Sequence, residues 1–536
     1  MIMKKRKYQW RQRWRALAVM PVVLFLCYMS AHSQDRKMNI IFFLVDDLGW
    51  SDVQYNNPGT FYETPNVNQL AGEGMRFTNA YAACHVCSPS RASILTGKYP
   101  ARLQLTDWLP GRKDYPFQQL KNVTINQQLP FEEKTLPETL KENGYRTAII
   151  GKWHLGEDTS SPLQHGFDYR VTEWNKGWPL SYYSPFKLKG LEGPDGEYLT
   201  DRLTDEAISY IEQNKDAPFF LYLSHFTVHD PIEGRKDLVE KYRQKLARQP
   251  ASALPPYILE ANPDTTFPYS RAALDALIQE KRYGGYAVLP GRIVKVKQRQ
   301  DNVQFAAMVE SMDESLGRIM AKIKAAGLED RTIIVFVSDN GGMSAANFAR
   351  PSKQIQPDRL DKEFATSNLP LRGAKGWFYE GGIRVPMIIK WPGQSRAGLS
   401  SDIPVIGTDF YPTLLKMAGL KLKSSQHKDG EDLSPLLRGK KKLRRKALYW
   451  HFPHYSNHGM QSPGAVIREG KYKLLEYFEK GTVQLFDLEK DPGEQQDIAA
   501  QMPAKARKLT RKLHRWQKKV GAASMPANPD YISITQ

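Results

Sequence analysis

Apolar, β-branched runs alternate with longer stretches of helical periodicity along most of this chain. Asn39-Ile40-Ile41-Phe42-Phe43-Leu44-Val45 is continuously apolar after its first residue, which is the pattern of a strand buried on both faces. Residues 146–150, 219–224, 332–338 and 386–391 repeat it. Between these runs, Thr135-Leu136-Pro137-Glu138 has the form of a capping box and predicts a helix that ends at Gly144. Asp301 to Gly327 predicts a long amphipathic helix with Val309, Met312, Leu316, Ile319, Met320 and Ile323 on its apolar side. Strands separated by helices require crossover connections. The pattern therefore predicts an α/β fold, a mostly parallel central sheet with helices on both faces.

Two regions break the rhythm. Pro231 to Arg299 is rich in Lys, Arg, Tyr and Pro with weak periodicity, and reads as an insertion near the mouth of a site rather than a separate domain. Beyond Gly439 the chain turns to short strand-like pieces at 447–450, 472–478 and 483–488, then a helix whose Leu509, Leu513, Trp516 and Val520 share one face. This predicts a smaller C-terminal α+β subdomain, residues 439–536, with a short antiparallel sheet, following an N-terminal domain at 36–438. No internal repeat is present.

Composition narrows the setting. At 536 residues and 41% hydrophobic content the chain can bury a large core. Lys4, Lys5, Arg6, Lys7, Arg11, Arg13 and Arg15 precede the apolar stretch Ala16 to Tyr28 and the small-residue string Ser30-Ala31-His32-Ser33. That order reads as a secretory signal peptide over residues 1–33, with an uncleaved membrane anchor as the competing reading. Cys27 follows Leu26 rather than a small residue, which argues against a lipoprotein anchor. Removing residues 1–33 takes seven basic and no acidic residues, so the formal charge falls from +19 to +12. The expectation is an exported protein, periplasmic or secreted, not stably inserted in a membrane once the signal is cleaved. Only Cys84 and Cys87 would remain, so no disulfide framework holds it together. The basic balance suits a polyanionic partner, nucleic acid and sulfated glycan both being candidates. The runs Lys440 to Lys446 and Lys505 to Lys519 read mainly as solvated surface, without the aromatic interleaving of a nucleic-acid site.

Candidate chemistry gathers where strands end. The first strand closes on Asp46-Asp47 and the strand 332–338 on Asp339-Asn340-Gly341-Gly342, two oxygen-rich pairs suited to a hard divalent cation, though either alone could be a helix cap or turn. Gly151-Lys152-Trp153-His154 follows another strand and sets a cation two residues from an imidazole. Ser224-His225-Phe226-Thr227-Val228-His229-Asp230-Pro231 follows a third; its histidine spacing could bind zinc on a helix, but a strand end and a proline make a helix improbable there. Cys84-His85-Val86-Cys87 could be a redox pair or half a zinc site, yet no second pair follows at finger spacing, and a buried inert cysteine is the bland alternative.

The string Cys87-Ser88-Pro89-Ser90-Arg91-Ala92-Ser93-Ile94-Leu95-Thr96-Gly97 resembles the sequence around the formylglycine of type I sulfatases, in the alkaline-phosphatase-like superfamily. The resemblance runs from Asn39 to the Asn528-Pro529-Asp530-Tyr531 tail and departs chiefly in the Pro231 to Arg299 segment. It implies that a maturation enzyme oxidises Cys87 to formylglycine, and that Asp46, Asp47, Asp339, Asn340 and the formylglycine hold one calcium ion. It further implies that Lys152 and Lys375, in Gly373-Ala374-Lys375-Gly376, bind the sulfate. His229 would protonate the leaving oxygen, Asp339 would take the nucleophile's proton, His154 would deprotonate the second hydroxyl of the aldehyde hydrate, and Arg91 would orient it. His225 is the weaker histidine of its string.

The function this implies is hydrolysis of sulfate esters, on sulfated glycan fragments outside the cytoplasm or on aryl sulfates, with no nucleic-acid partner. A phosphonate or phosphate monoester hydrolase of the same superfamily and a non-catalytic polyanion-binding protein are the alternatives. Trp174, Trp178, Tyr182 and Tyr183, with Trp450, His451 and His454 in the smaller subdomain, could stack on sugar rings or could be core aromatics.

Overall fold

The central sheet has eight strands: β1 (Asn39–Val45), β2 (Met75–Phe77), β3 (Arg146–Gly151), β4 (Tyr169–Val171), β5 (Phe219–Ser224), β6 (Thr332–Ser338), β7 (Met387–Lys390) and β8 (Ser400–Ser401). Their order across the sheet is β8-β2-β7-β6-β1-β5-β3-β4. The computed structural model describes residues 37–264, 269–347 and 363–532. The expected signal peptide, residues 1–33, lies outside the described residues. Every residue of β1, β5 and β6 is buried, as continuous apolar runs require, and β1 pairs in parallel with both of the others. The strands β3 and β4 extend the parallel arrangement. One edge departs from it: β7 runs antiparallel to β6 and to β2. A buried apolar run has no direction in its pattern, so the sequence could not reveal that reversal.

Six helices matter for the site and its support: α1 (Cys87–Thr96), α2 (Leu136–Glu142), α3 (Leu199–Asn214), α4 (Lys236–Ala247), α5 (Val303–Ala325) and α6 (Pro503–Val520). At the start of α2, Thr135 and Glu138 form the reciprocal capping box. In α5 the carboxamide of Asn302 accepts from Gln304 N and Phe305 N, which fixes the start one residue past the cap; Val309, Met312, Leu316, Ile319 and Ile323 are buried and Met320 is half-buried. Against α5 pack α3 and α4.

The 231–299 segment is more ordered than its weak periodicity suggests. Leu238, Val239 and Tyr242 of α4 belong to the main hydrophobic core. Farther along, Tyr257–Glu260, Ile293–Lys297 and Val288–Leu289 form an antiparallel three-stranded sheet with its own small core of Leu259, Leu274, Leu289 and Ile293. Three buried side chains in twelve residues are enough to dock α4, but among its many charged positions they do not stand out in the sequence.

The C-terminal sheet is antiparallel in the order β9 (Ala447–Phe452), β10 (Gly464–Glu469), β11 (Tyr472–Tyr477), β12 (Val483–Asp487). Sequence reasoning missed β10, because Pro463, Gly464 and Gly470 mask it with turn signals. On this sheet lies α6, with Leu509, Leu513, Trp516 and Val520 buried and Trp516 stacked on Tyr449 at 4.8 Å. A buried ion cluster also joins the sheet: Lys473 Nζ is 3.0 Å from Glu380 Oε1 and 2.8 Å from Glu494 Oε1, with all three side chains fully enclosed. Tyr81 OH donates to Glu380 Oε2 at 2.7 Å.

Candidate active site

The helix α1 starts at Cys87, and all ten of its residues are buried. A helix start leaves backbone N–H groups unpaired and carries a positive partial charge, so position 87 favours developing negative charge. One turn later Arg91 turns inward: its Nε donates to Asp339 Oδ2 at 2.8 Å and its Nη1 to Ser224 Oγ at 2.6 Å, while Nη2 stands 3.7 Å from Asp46 Oδ1. Burial first, then Asp46, raises the Asp339 carboxyl, with Arg91 opposing.

Strand ends supply the rest. From the end of β1, Asp46 and Asp47 enter the site, with Asp47 at φ 62° and its N–H donating to Asp339 Oδ1 at 3.2 Å. Beyond β3, Lys152 Nζ lies 2.5 Å from Asp46 Oδ2. From the 373–376 loop, Lys375 Nζ lies 2.7 Å from Asp47 Oδ2, and after β6 Asn340 Nδ2 donates to Asp47 Oδ1 at 2.7 Å. All ten residues singled out from the sequence are buried around this point.

The two histidines are held in different states. His154 Nε2 is 3.0 Å from Leu109 O, which can only accept, so Nε2 carries the proton and Nδ1 presents a lone pair 3.3 Å from Cys87 Sγ. Burial, then Lys152, holds the His154 imidazole well below its ordinary value. Gly177 covers this ring so closely that a Cβ there would stand 2.3 Å from His154 Cε1. His229 goes the other way: burial and Lys375 push it down, but Asp230, Asp47 and Asp46 outweigh them and raise it. Its Nδ1 is 2.5 Å from Asp230 Oδ1 and its Nε2 3.7 Å from Asp47 Oδ2. Against the cost of burial, His229 keeps the Asp230 carboxyl well below the usual range. Burial raises the Cys87 and Cys84 thiols, and neither cysteine is in a disulfide.

The residues present fit a hard cation. Asp46, Asp47 and His229 offer ligand atoms within 4.8 Å of one another. Asp46 Oδ1 and Asn340 Oδ1 are buried without a hydrogen-bond partner, and Asp339 touches Asp47 from the other side. Unsatisfied oxygens in a carboxylate-rich pocket are the donor chemistry of calcium or magnesium rather than of zinc.

Above Cys87 opens a cleft of about 520 Å³ lined by His154, His229 and Lys375 and also by Trp108, Trp178, Asp230, Asn347, Asn457 and His458. Sequence reasoning missed Trp108, Asn457 and His458, which no local motif marks; Asp230 adjoined His229 and could have been paired with it. Of the aromatics considered for sugar stacking, Trp178 alone lines this cleft among the described residues. Trp174 packs against the main core, Tyr182 is buried with its hydroxyl on Phe226 O and His229 O, and Tyr183 donates to Gly234 O. Trp450 donates to Ala82 O, His451 Nε2 lies against Ala523 O and His454 Nε2 against Thr106 Oγ1, all three being structural. His225 is structural as well, bonded to Ser315 Oγ at 2.9 Å and packed on Phe43.

Aspartates at the carboxyl ends of a largely parallel sheet, facing a residue at a helix start, fit the hydrolase class of the alkaline-phosphatase-like superfamily, and the family match assigns the chain there. The chain belongs to the sulfatase family: the family described as Sulfatase matches residues 38–420, and the one described as N-sulphoglucosamine sulphohydrolase, C-terminal, matches 373–520. It is a sulfuric ester hydrolase. A sulfatase of Formosa agariphila is 29% identical over 90% of this chain and 89% of its own length. The N-acetylgalactosamine-6-sulfatase of Mus musculus is 30% identical over 80% of this chain and 72% of its own. The crystal structure of Ps i-CgsB in complex with k-i-k-neocarrahexaose superposes with a TM-score of 0.66 at 27% identity, covering 93% of this chain and 94% of that one. Among the described residues no helix is long and apolar enough to cross a membrane.

Proposed function

We propose that this protein is exported and removes sulfate from sulfated glycan fragments, with Cys87 matured to formylglycine by a dedicated enzyme and one calcium ion held by Asp46, Asp47, Asp339 and Asn340. The observation that carries this reading is Cys87 at a helix start on the cleft floor, 3.3 Å from a neutral imidazole and bordered by Lys375. The relatives add support, one being named for a sulfated amino sugar and another crystallised with a neocarrahexaose.

A sulfate monoester carries negative charge, so the site must offset that charge, align a nucleophile and assist the departing alcohol. The ammonium groups of Lys152 and Lys375 offset it. Formylglycine at position 87 would supply, as its hydrate, one hydroxyl to attack sulfur and a second whose deprotonation frees the sulfate. Calcium, when bound, would supply Lewis acidity. His229, held by Asp230 at 2.5 Å and lining the cleft beside Cys87, gives a proton to the leaving oxygen. His154, neutral with Nδ1 free, takes the proton from the second hydroxyl. Asp339 takes the proton of the attacking one, and Arg91 holds Asp339 in place through its Nε at 2.8 Å. Residues 439–536 act as the C-terminal subdomain that closes one wall of the cleft against the catalytic domain, 36–438.

Intact-mass analysis of natively produced protein, run beside rates on an aryl sulfate and an aryl phosphonate, tests this. Conversion of the thiol with faster sulfate turnover is expected; active protein with an unaltered Cys87 would overturn it, and faster phosphonate turnover would move the chain to the related hydrolases.

A further inference from the structure

We propose that Trp108, Asn457 and His458 form a recognition wall for free hydroxyls of the sugar ring whose sulfate lies at Cys87; this rests on the glycan reading above. All three line the cleft that holds Cys87, His154 and Lys375. Among the described residues, Trp108 Nε1, Asn457 Oδ1 and both ring nitrogens of His458 are buried without a hydrogen-bond partner. His458 is only 5% exposed and Asn457 9%. An unpaired buried polar group is costly, and folds leave few of them. Four on residues that share the lining of a substrate cleft point to a ligand that satisfies them.

The chemistry of that ligand follows from the atoms. The indole N–H can only donate and Asn457 Oδ1 can only accept. Burial, then Lys375, keeps the His458 imidazole neutral, so it offers one donor and one acceptor. Such a mixed set matches hydroxyl groups, which both give and receive. A second sulfate, which only accepts, would leave Asn457 Oδ1 and one ring nitrogen facing its oxygens. The wall is also tied to the sulfate end of the cleft. His458 N donates to Ser456 Oγ at 3.1 Å, and that hydroxyl donates to His458 O at 3.0 Å. Beside Lys375, Gly376 at φ +83° presses so close that a Cβ would stand 2.4 Å from His458 Cβ. The loop that carries Lys375 therefore also backs His458.

The test uses the mature, full-length enzyme and its variants His458→Ala and Asn457→Ala. Values of kcat/KM are measured on p-nitrophenyl sulfate, which has no ring hydroxyls, on the sulfated monosaccharide that the parent turns over fastest in a defined panel, and on its singly deoxygenated analogues. Each substitution is expected to lower the saccharide rate about tenfold relative to the aryl sulfate. For His458→Ala, one deoxy analogue should become as good a substrate as the intact sugar. Equal losses on both substrate types, or a deoxy penalty that survives intact, would overturn the wall. His458→Gln carries the same comparison if the alanine variant does not fold. A parent that cleaves the aryl sulfate and no sugar in the panel would overturn the glycan reading itself, a result separate from any behaviour of the variants.

Discussion

Two buried clusters of charge, one on the cleft floor and one beneath the C-terminal sheet, are built from the same kinds of side chain and finished differently. Under the sheet, a single ammonium serves two carboxylates, and Tyr81 adds a donor to Glu380. On the cleft floor, two ammonium groups and a guanidinium meet three carboxylates, yet Asp46 Oδ1 and Asn340 Oδ1 have no hydrogen-bond partner. Burying charge is costly, and the first cluster recovers that cost through its internal contacts. The oxygens left over in the second suit the cation proposed above. The first cluster is closed by ion pairs at 2.8 and 3.0 Å, Glu494 Oε1 being held by its ion pair alone, whereas Asp46 Oδ1 in the second has Arg91 Nη2 no nearer than 3.7 Å.

The sharpest way to break this comparison is to remove the reactive group. Cys87→Ala is expected to lower sulfate ester hydrolysis by about 10⁴-fold or more with almost no change in melting temperature, since the nucleophile contributes to turnover and little to the core. Near-parental turnover would remove Cys87 from the mechanism. The mirror experiment is Lys473→Ala, which leaves two carboxylates facing each other in the interior. It is expected to cost about 3–5 kcal/mol in urea unfolding, and a loss under 1 kcal/mol would show that this cluster does not fasten the sheet.

Cation removal comes next in size. A ligand bound only by the folded state at a hundredfold excess over its Kd stabilises by about 2.7 kcal/mol. Chelation should therefore lower the melting temperature as well as activity, and Asp46→Ala should abolish that dependence. An unchanged melting curve in protein shown to be free of metal would count against the oxygen cluster. The last test concerns pH. Burial, with Glu380 adding to it, raises Glu494 to about 7 from its ordinary 4.5. The folded chain then holds a proton that the unfolded chain has released, so this group's contribution to stability declines as pH rises from about 4.5 through 7. Glu494→Gln should flatten the stability profile across that window, and a parental slope in the variant would place the titration elsewhere.

The cleft-floor half of this contrast was largely legible in the sequence; the Lys473, Glu380 and Glu494 cluster was not, because its members lie far apart along the chain. The bounds of β1, β5 and β6 match the apolar runs residue for residue, because strands buried on both faces leave no ambiguity of phase. Asp46, Asp47, Asp339 and Asn340 were visible as polar pairs closing such runs. Cys87, Arg91, Lys152, His154, His229 and Lys375 drew their meaning from a resemblance, and the structure brings them together. Asn457, His458 and Trp108 were out of reach for a different reason: loops distant in sequence deliver them to one cleft, and nothing local marks that meeting. The reversed direction of β7 was hidden likewise, since a buried strand looks the same either way. The stacking roles considered for Tyr182, Trp450 and His454 failed because an aromatic near a motif is as readily a brace as a platform, and here each has a fixed internal bond.

The enclosure of α1 has a consequence for how the enzyme comes into being. Cys87 is 3% exposed in the finished protein and its first turn is sealed by the surrounding core. The oxidising enzyme proposed above would meet the segment from Cys87 to Arg91 only as a buried helix once the chain has folded. On the maturation proposed above, oxidation would have to outrun collapse of the chain, and recombinant yield of active protein should track how long the nascent polypeptide stays open rather than how much oxidase is added afterwards.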